Sequence, residues 1–323
     1  MNYSKGCYLP PQKSCWTGRA TKPEIGTQYW HQAIELCDVH ALKKDQQFDV
    51  ALLGYACDEG VRRNLGRVGA KDGPYAFRQR LAQLPFHHSS KQVIDLGDIV
   101  CQDENMEASQ KTLAAVVGSL IDRAVLPIVI GGGHDMAYGH FKGIWNALAT
   151  DSKPSIGIIN FDAHFDLRPL EGKANSGTPF YQILQEFEPW VDYFAIGIQQ
   201  QSNTKELFDI AKEKKVNYVR NYDCERANFE AIIKQLTPFV ERNDFLYITI
   251  DLDGFSSAYA PGVSAPSPMG FTPYFVLKML HYLLGTQKVI ACDIAELNPR
   301  FDRDNATANL AARIVDYIVE NKS

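Results

Sequence analysis

From about residue 48 onward the chain alternates between two periodicities. Short apolar runs at 49–55, 93–96, 126–130, 155–161, 193–198, 217–219, 245–250 and 288–294 are separated by longer segments of helical period. Most of these runs are apolar without interruption, where a half-exposed strand would alternate apolar and polar residues. Strands apolar on both sides suit a parallel sheet covered by helices on both faces. The intervening segments carry helical stripes. Residues 107–123 bring Leu113, Val116, Val117, Leu120 and Ile121 to one face, and Leu310, Ile314, Tyr317 and Ile318 repeat at i, i+4, i+7 and i+8. Gly73-Pro74 precedes a helix expected over 75–84, because proline early in a helix already has the required φ. Strand and helix in alternation imply right-handed crossovers and one open sheet. The first 45 residues have no strong period and are rich in turn formers, and no Pro/Gly/Ser linker divides the rest of the chain. The expectation is an α/β protein: a single domain over 46–323, with residues 1–45 as an N-terminal extension packed on it.

Composition narrows the function by exclusion. Lys and Arg total 33 against 38 Asp and Glu, a formal net charge of -5, which gives no support to a nucleic-acid partner. The most apolar stretch, 124–130, is interrupted by Pro127 and falls far short of the roughly 18 residues a membrane span requires. The start of the chain lacks the basic and apolar regions of a secretory signal. Seven scattered cysteines without a C-x-x-C pair read as reduced thiols, and the expected compartment is the cytoplasm.

The candidate chemistry lies where the strands end. Residues 126–130 run into Gly131-Gly132-Gly133-His134-Asp135, and 155–161 into Asp162-Ala163-His164-Phe165-Asp166. Residues 245–250 run into Asp251-Leu252-Asp253-Gly254, and 288–294 into Ala295-Glu296-Leu297-Asn298-Pro299. Parallel strands end on one edge, and ligands bind outside those carboxyl ends. Four distant segments thus bring His134, Asp162, His164, Asp166, Asp251, Asp253 and Glu296 to one rim. A lone aspartate at a strand end is ordinarily a cap or a turn former, and His134 after three glycines would by itself read as a turn. The coincidence of four clusters points elsewhere. Asp162, His164 and Asp166 sit two residues apart and share a face of an extended segment, as do Asp251 and Asp253. Four carboxylates in a poorly solvated cleft are costly unless cations offset them, and two divalent ions match their charge. Two imidazoles and four carboxylates, with no thiolate, favour Mn²⁺, with Zn²⁺, Co²⁺, Ni²⁺ or Fe²⁺ as other occupants. A phosphate-loop reading of the triple glycine fails, because Met136 stands where G-x-G-x-x-G needs its third glycine.

The series G-G-G-H-D, D-A-H-x-D, D-x-D-G and E-x-N-P, in this order, resembles the arginase/agmatinase/formimidoylglutamase (ureohydrolase) family from about residue 48 to the C-terminus. The resemblance implies a three-layer α/β/α arginase-like fold with a mostly parallel, about eight-stranded sheet. It also implies a centre of two Mn²⁺ ions per subunit that hydrolyses guanidino or formimino carbons. Carried over, His134 and Asp166 complete the shell of one ion, His164 and Asp253 that of the other, and Asp162 and Asp251 bridge both. Glu296 takes the role of the acid that pairs with the planar substrate cation, for which a carboxylate is chemically suited. Asp166 is then placed to receive a proton from the attacking water and pass it to the leaving amine. Relatives often form homo-oligomers, and the partner expected here is a small-molecule substrate.

Within the family, three segments are most similar to the formimidoylglutamase branch: Gly60 to Pro74, Asp166-Leu167-Arg168-Pro169 and Asn175-Ser176-Gly177-Thr178-Pro179-Phe180. Ser176 stands where arginase-type members tend to have a histidine taken to shuttle protons. The implied reaction is N-formimino-L-glutamate plus water to L-glutamate plus formamide, in histidine degradation. This substrate carries two carboxylates, which arginine forks grip bidentately. Arg62, Arg63, Arg67 and Arg168 lie in loops after expected strands, and Arg63 and Arg168 are the preferred contacts, with Asn175, Ser176 and Glu296. The alternatives are an agmatinase, guanidinobutyrase or other guanidino hydrolase, and a metal-binding homologue without catalysis.

Overall fold

The computed structural model describes residues 6–22, 24, 26–43, 46–149 and 153–322. Its strands are β1 Tyr8–Leu9, β2 Glu35–Leu36, β3 Val50–Ala56, β4 Val93–Val100, β5 Leu126–Gly131, β6 Ile156–Phe161, β7 Val191–Ile198, β8 Asn217–Arg220, β9 Phe245–Asp251 and β10 Val289–Ala295. Its helices are α1 Trp30–Ala33, α2 Glu59–Arg63, α3 Gly73–Leu81, α4 Met106–Ile121, α5 Met136–Leu148, α6 Pro179–Phe187, α7 Lys205–Glu213, α8 Phe229–Arg242, α9 Pro273–Gly285 and α10 Ala306–Asn321. All eight expected apolar runs are strands, β3 to β10, and every pairing among them is parallel.

Among the described residues the sheet has ten strands, against about eight expected. The additional two are β1 and β2, each two residues long and both paired to β4. Two residues cannot display a period, so neither element had a signal in the pattern. The strand order is β1-β4-β3-β5-β10-β9-β6-β7-β8, with β2 alongside β4. Alternate residues of β3 point into opposite cores. Val50 and Leu52 join the layer built on α3, α8, α9 and α10. Ala51, Leu53 and Tyr55 join the layer built on α4, α5, α6 and α7. The result is an α/β/α sandwich whose helices cover both faces of the sheet.

Local chemistry sets the helix starts. Asn105 Oδ1 accepts from Ala108 N at 3.0 Å ahead of α4, and Thr272 Oγ1 accepts from Phe275 N at 3.3 Å ahead of α9, with Pro273 at its first turn. A buried ion pair ties α3 to β4: the Arg78 fork meets both Asp95 oxygens at 2.8 and 2.9 Å. Trp16 Nε1 donates to Asp95 Oδ2 at 2.7 Å, and Trp30 Nε1 to Asp316 Oδ1 at 2.7 Å. Two indoles of the N-terminal segment are therefore anchored to buried or half-buried acids elsewhere in the fold. Among the described residues no helix is long and apolar enough to cross a membrane.

Candidate metal centre

The strands that carry the four polar clusters are neighbours, in the order β5-β10-β9-β6 at the middle of the sheet. Their carboxyl ends therefore open onto one spot. The loop after β5 lies close against the end of β3. Gly133 N donates to Cys57 O at 2.9 Å, and a Cβ on Gly132 would fall 2.3 Å from Cys57 O and 2.4 Å from Tyr55 O. Only glycine allows that approach, which seats His134 over the sheet edge. Asp166 and Glu296 adopt left-handed backbone conformations, with φ of 49° and 64°. Such conformations cost of order 1 kcal/mol or more in residues with a Cβ and cluster at functional sites.

All six proposed ligand residues converge. His134 Nδ1 lies 3.0 Å from Asp166 Oδ2, 3.1 Å from Asp251 Oδ2 and 3.3 Å from Asp162 Oδ2. His164 Nδ1 lies 3.2 Å from Asp253 Oδ2 and 3.4 Å from Asp162 Oδ1. Two groups able to hold a metal result, His134 with Asp162, Asp166 and Asp251, and Asp162 with His164 and Asp253. Asp162 belongs to both, giving one oxygen to each. Asp251 falls with the first group.

The donors fit divalent cations on chemical grounds. His134 Nδ1 is buried among three carboxylates yet has no directed hydrogen-bond partner, and Asp253 Oδ1 and Glu296 Oε2 are orphaned as well. Burial, reinforced by the charge of Asp251, raises the Asp253 and Glu296 carboxyls well above the usual carboxylate range. Acids crowded out of water in this way need a cation, and a nitrogen-and-oxygen donor set without thiolate suits Mn²⁺ and its neighbours.

A second ring of contacts orients these donors. His134 Nε2 meets Thr249 Oγ1 at 2.8 Å, and Asn160 Nδ2 donates to Asp162 Oδ2 at 3.0 Å and to Tyr193 Oη at 2.9 Å. Asp162 Oδ1 accepts from His164 N, and Asp251 Oδ1 from Asp253 N, so each D-x-[HD] pair braces itself. Thr249 stands on β9 two residues before Asp251, and Asn160 on β6 two residues before Asp162, which follows the end of that strand. That spacing was available in the sequence, but a polar residue inside an apolar run is not distinctive by itself.

A cavity of about 320 Å³ opens above the cluster, with His134, His164, Asp166, Asp251, Asp253 and Glu296 among its walls. Arg168 and Ser176 border it, and Asn64 Nδ2 donates to Ser176 Oγ at 3.1 Å. Arg168 is exposed and its guanidinium has no partner among the described residues.

Two residues expected at the substrate lie elsewhere. Arg63 does not border the cavity. Its guanidinium is committed to Glu59 at 2.8 Å and Glu107 at 2.6 Å, and it donates to Ala174 O and Glu104 O. Two carboxylates neutralise it and leave no fork for a ligand. Asn175 spends its side chain on a turn, where Oδ1 accepts from Gly177 N at 2.9 Å.

Known proteins share this architecture. Residues 48–320 match the model of the arginase family. The chain is 41% identical over 307 residues to a formimidoylglutamase of Geobacillus thermodenitrificans, covering 94% of each chain. It is 38% identical to a formimidoylglutamase of Clostridium tetani, covering 97% of this chain and 96% of that one. A crystal structure of Trypanosoma cruzi formiminoglutamase with Mn²⁺ superposes with a TM-score of 0.75 at 26% identity, over 88% of this chain and 98% of that one.

Proposed function

The chain belongs to the arginase family, and from that premise we propose that it hydrolyses N-formimino-L-glutamate to L-glutamate and formamide, as a step of histidine degradation. The observation that carries this reading is the meeting of two histidines and four aspartates from the ends of β5, β9 and β6, with Glu296 from the end of the intervening β10, beneath an open cavity. The substrate choice rests on relatives of that name at about 40% identity. It is supported by an unpaired guanidinium, that of Arg168, beside the cavity.

Two Mn²⁺ per subunit would be held by His134 and Asp166 on one side and by His164 and Asp253 on the other, and Asp162 and Asp251 would serve both. When bound, such ions polarise the substrate and make water a nucleophile near neutral pH. The chain's own residues do the rest. Glu296 pairs with the planar formimino cation through its carboxylate. Asp166 accepts a proton released during attack and returns it to the leaving amine. Arg168 grips a substrate carboxylate with its fork. Ser176, held by Asn64, borders the same cavity and contributes a hydroxyl. Residues 46–323 act as one catalytic domain with residues 1–45 packed against it, although positions 1–5, 23, 25, 44, 45, 150–152 and 323 lie outside the described residues. Seven free thiols suit a reducing cytoplasm.

The test is product identification with protein reconstituted in Mn²⁺. Glutamate and formamide should appear in equal amounts, chelator should abolish turnover and Mn²⁺ should restore it. Asp251→Ala should lower the rate by orders of magnitude. Full activity in metal-free protein would refute the reading.

A further inference from the structure

We infer that Arg67 is a second carboxylate anchor for the substrate, held in position by Asn298. The inference rests on the functional reading above and goes beyond it to substrate selection. Of Arg62, Arg63, Arg67, Arg168 and Arg300, three are neutralised by acids and do not line the cavity. Arg62 pairs with Glu59 and Glu104, Arg63 with Glu59 and Glu107, and Arg300 with Asp72. Arg67 and Arg168 border the cavity and have no acidic partner among the described residues.

Arg67 differs from an ordinary surface arginine in being fixed on three sides. Nε donates to Ser264 O at 2.9 Å, Nη2 donates to Val263 O at 2.6 Å, and the guanidinium lies 4.0 Å from the centroid of the Phe301 ring. Main-chain carbonyls satisfy one edge without neutralising the charge. Of five N–H groups, those two contacts use one on Nε and one on Nη2, so Nη1 and the rest of Nη2 remain available. A guanidinium already immobilised loses little further entropy when it binds a carboxylate.

The E-x-N-P motif supplies the positioning. Asn298 is fully buried, two residues after Glu296, and its Nδ2 donates to Arg67 O at 2.8 Å. A Cβ on Gly69 would fall 2.4 Å from Asn298 Oδ1, so the Arg67 loop lies closely over this amide. The carboxylate proposed for the formimino cation and the proposed anion anchor are thus tied to one short segment. A substrate carrying a cationic amidine at one end and carboxylates at the other fits such a pair.

The experiment compares Arg67→Ala and Arg67→Lys with the unmodified enzyme, all Mn²⁺-loaded to the same metal content. The panel contains formimino and guanidino acids with one or two carboxylates. Arg67→Ala should raise KM for two-carboxylate substrates about 10- to 100-fold with kcat within about threefold. It should affect one-carboxylate substrates less, and Arg67→Lys should recover part of the loss. Arg242→Ala, beside Asp192 at the opposite edge of the sheet, should change neither constant. A KM shift below twofold would overturn the inference, as would equal losses on every substrate. Failure of the unmodified enzyme to turn over N-formimino-L-glutamate would instead overturn the functional reading, while the ratio between one- and two-carboxylate substrates would still judge Arg67.

Discussion

Replacing Thr249 by valine removes one hydroxyl and changes little in shape. Thr249 is fully buried on β9, and its Oγ1 lies 2.8 Å from His134 Nε2. With Nδ1 turned toward Asp162, Asp166 and Asp251, the geometry assigns the ring proton to Nε2, which donates it to Thr249. Valine would leave that N–H buried with no acceptor, at a cost of about 1–3 kcal/mol. The proposed ligands themselves are untouched, so the cost should appear as metal affinity weakened about 10- to 100-fold. The assay is titration of metal-free protein with Mn²⁺, followed by calorimetry and by activity. Half-saturation should move to higher Mn²⁺, and activity should return at saturating metal. Thr249→Ser, which keeps the hydroxyl, should stay within a fewfold of the original. A valine variant whose half-saturation moves less than twofold would refute the orientation argument. So would one that stays inactive at saturating metal while remaining folded.

The same geometry sets other outcomes. Burial disfavours protonated His134 and His164, but the surrounding aspartates outweigh it and hold both imidazoles well above their ordinary range. Metal entry near pH 7 must therefore expel protons, and affinity should rise with pH; calorimetric enthalpies that do not depend on the buffer would contradict this. Arg78→Ala strands Asp95, which is fully buried, and should cost about 3–5 kcal/mol in denaturant unfolding; a loss under 1 kcal/mol would mean that the pair is relieved in some other way. A Cβ on Gly177 would fall 2.9 Å from Arg168 Cδ. Gly177→Ala should therefore displace that side chain and raise KM several-fold with kcat retained, whereas an unchanged KM would contradict the role given to Arg168.

Much of this protein was legible in its sequence because both signals are local. An uninterrupted apolar run reads as a buried strand wherever it lies, and the residue after it is at the sheet edge by construction. Convergence of His134, Asp162, Asp251 and Glu296 then needed only parallel strands, not long-range pairing. What the pattern could not convey was which partner each side chain would find. Arg63 looked as available as Arg168 until the fold brought Glu107, 44 residues away in sequence, to its Nη1. The nearer partner, Glu59, was visible at the i, i+4 spacing of a helix, a warning that this arginine was already engaged. Asn175 fits the same account, since an asparagine two residues before a glycine is a turn former, accepting from the glycine N–H, as readily as a ligand contact. The strands β1 and β2 exist because β4 offers them an edge, and nothing within two residues announces that.

Steady-state kinetics of the Mn²⁺-loaded enzyme test the central claim most directly, with N-formimino-L-glutamate, agmatine, arginine and guanidinobutyrate compared under one set of conditions. The account predicts the highest kcat/KM for N-formimino-L-glutamate, with glutamate and formamide as products. Preferred turnover of agmatine or arginine, with N-formimino-L-glutamate left intact, would contradict it.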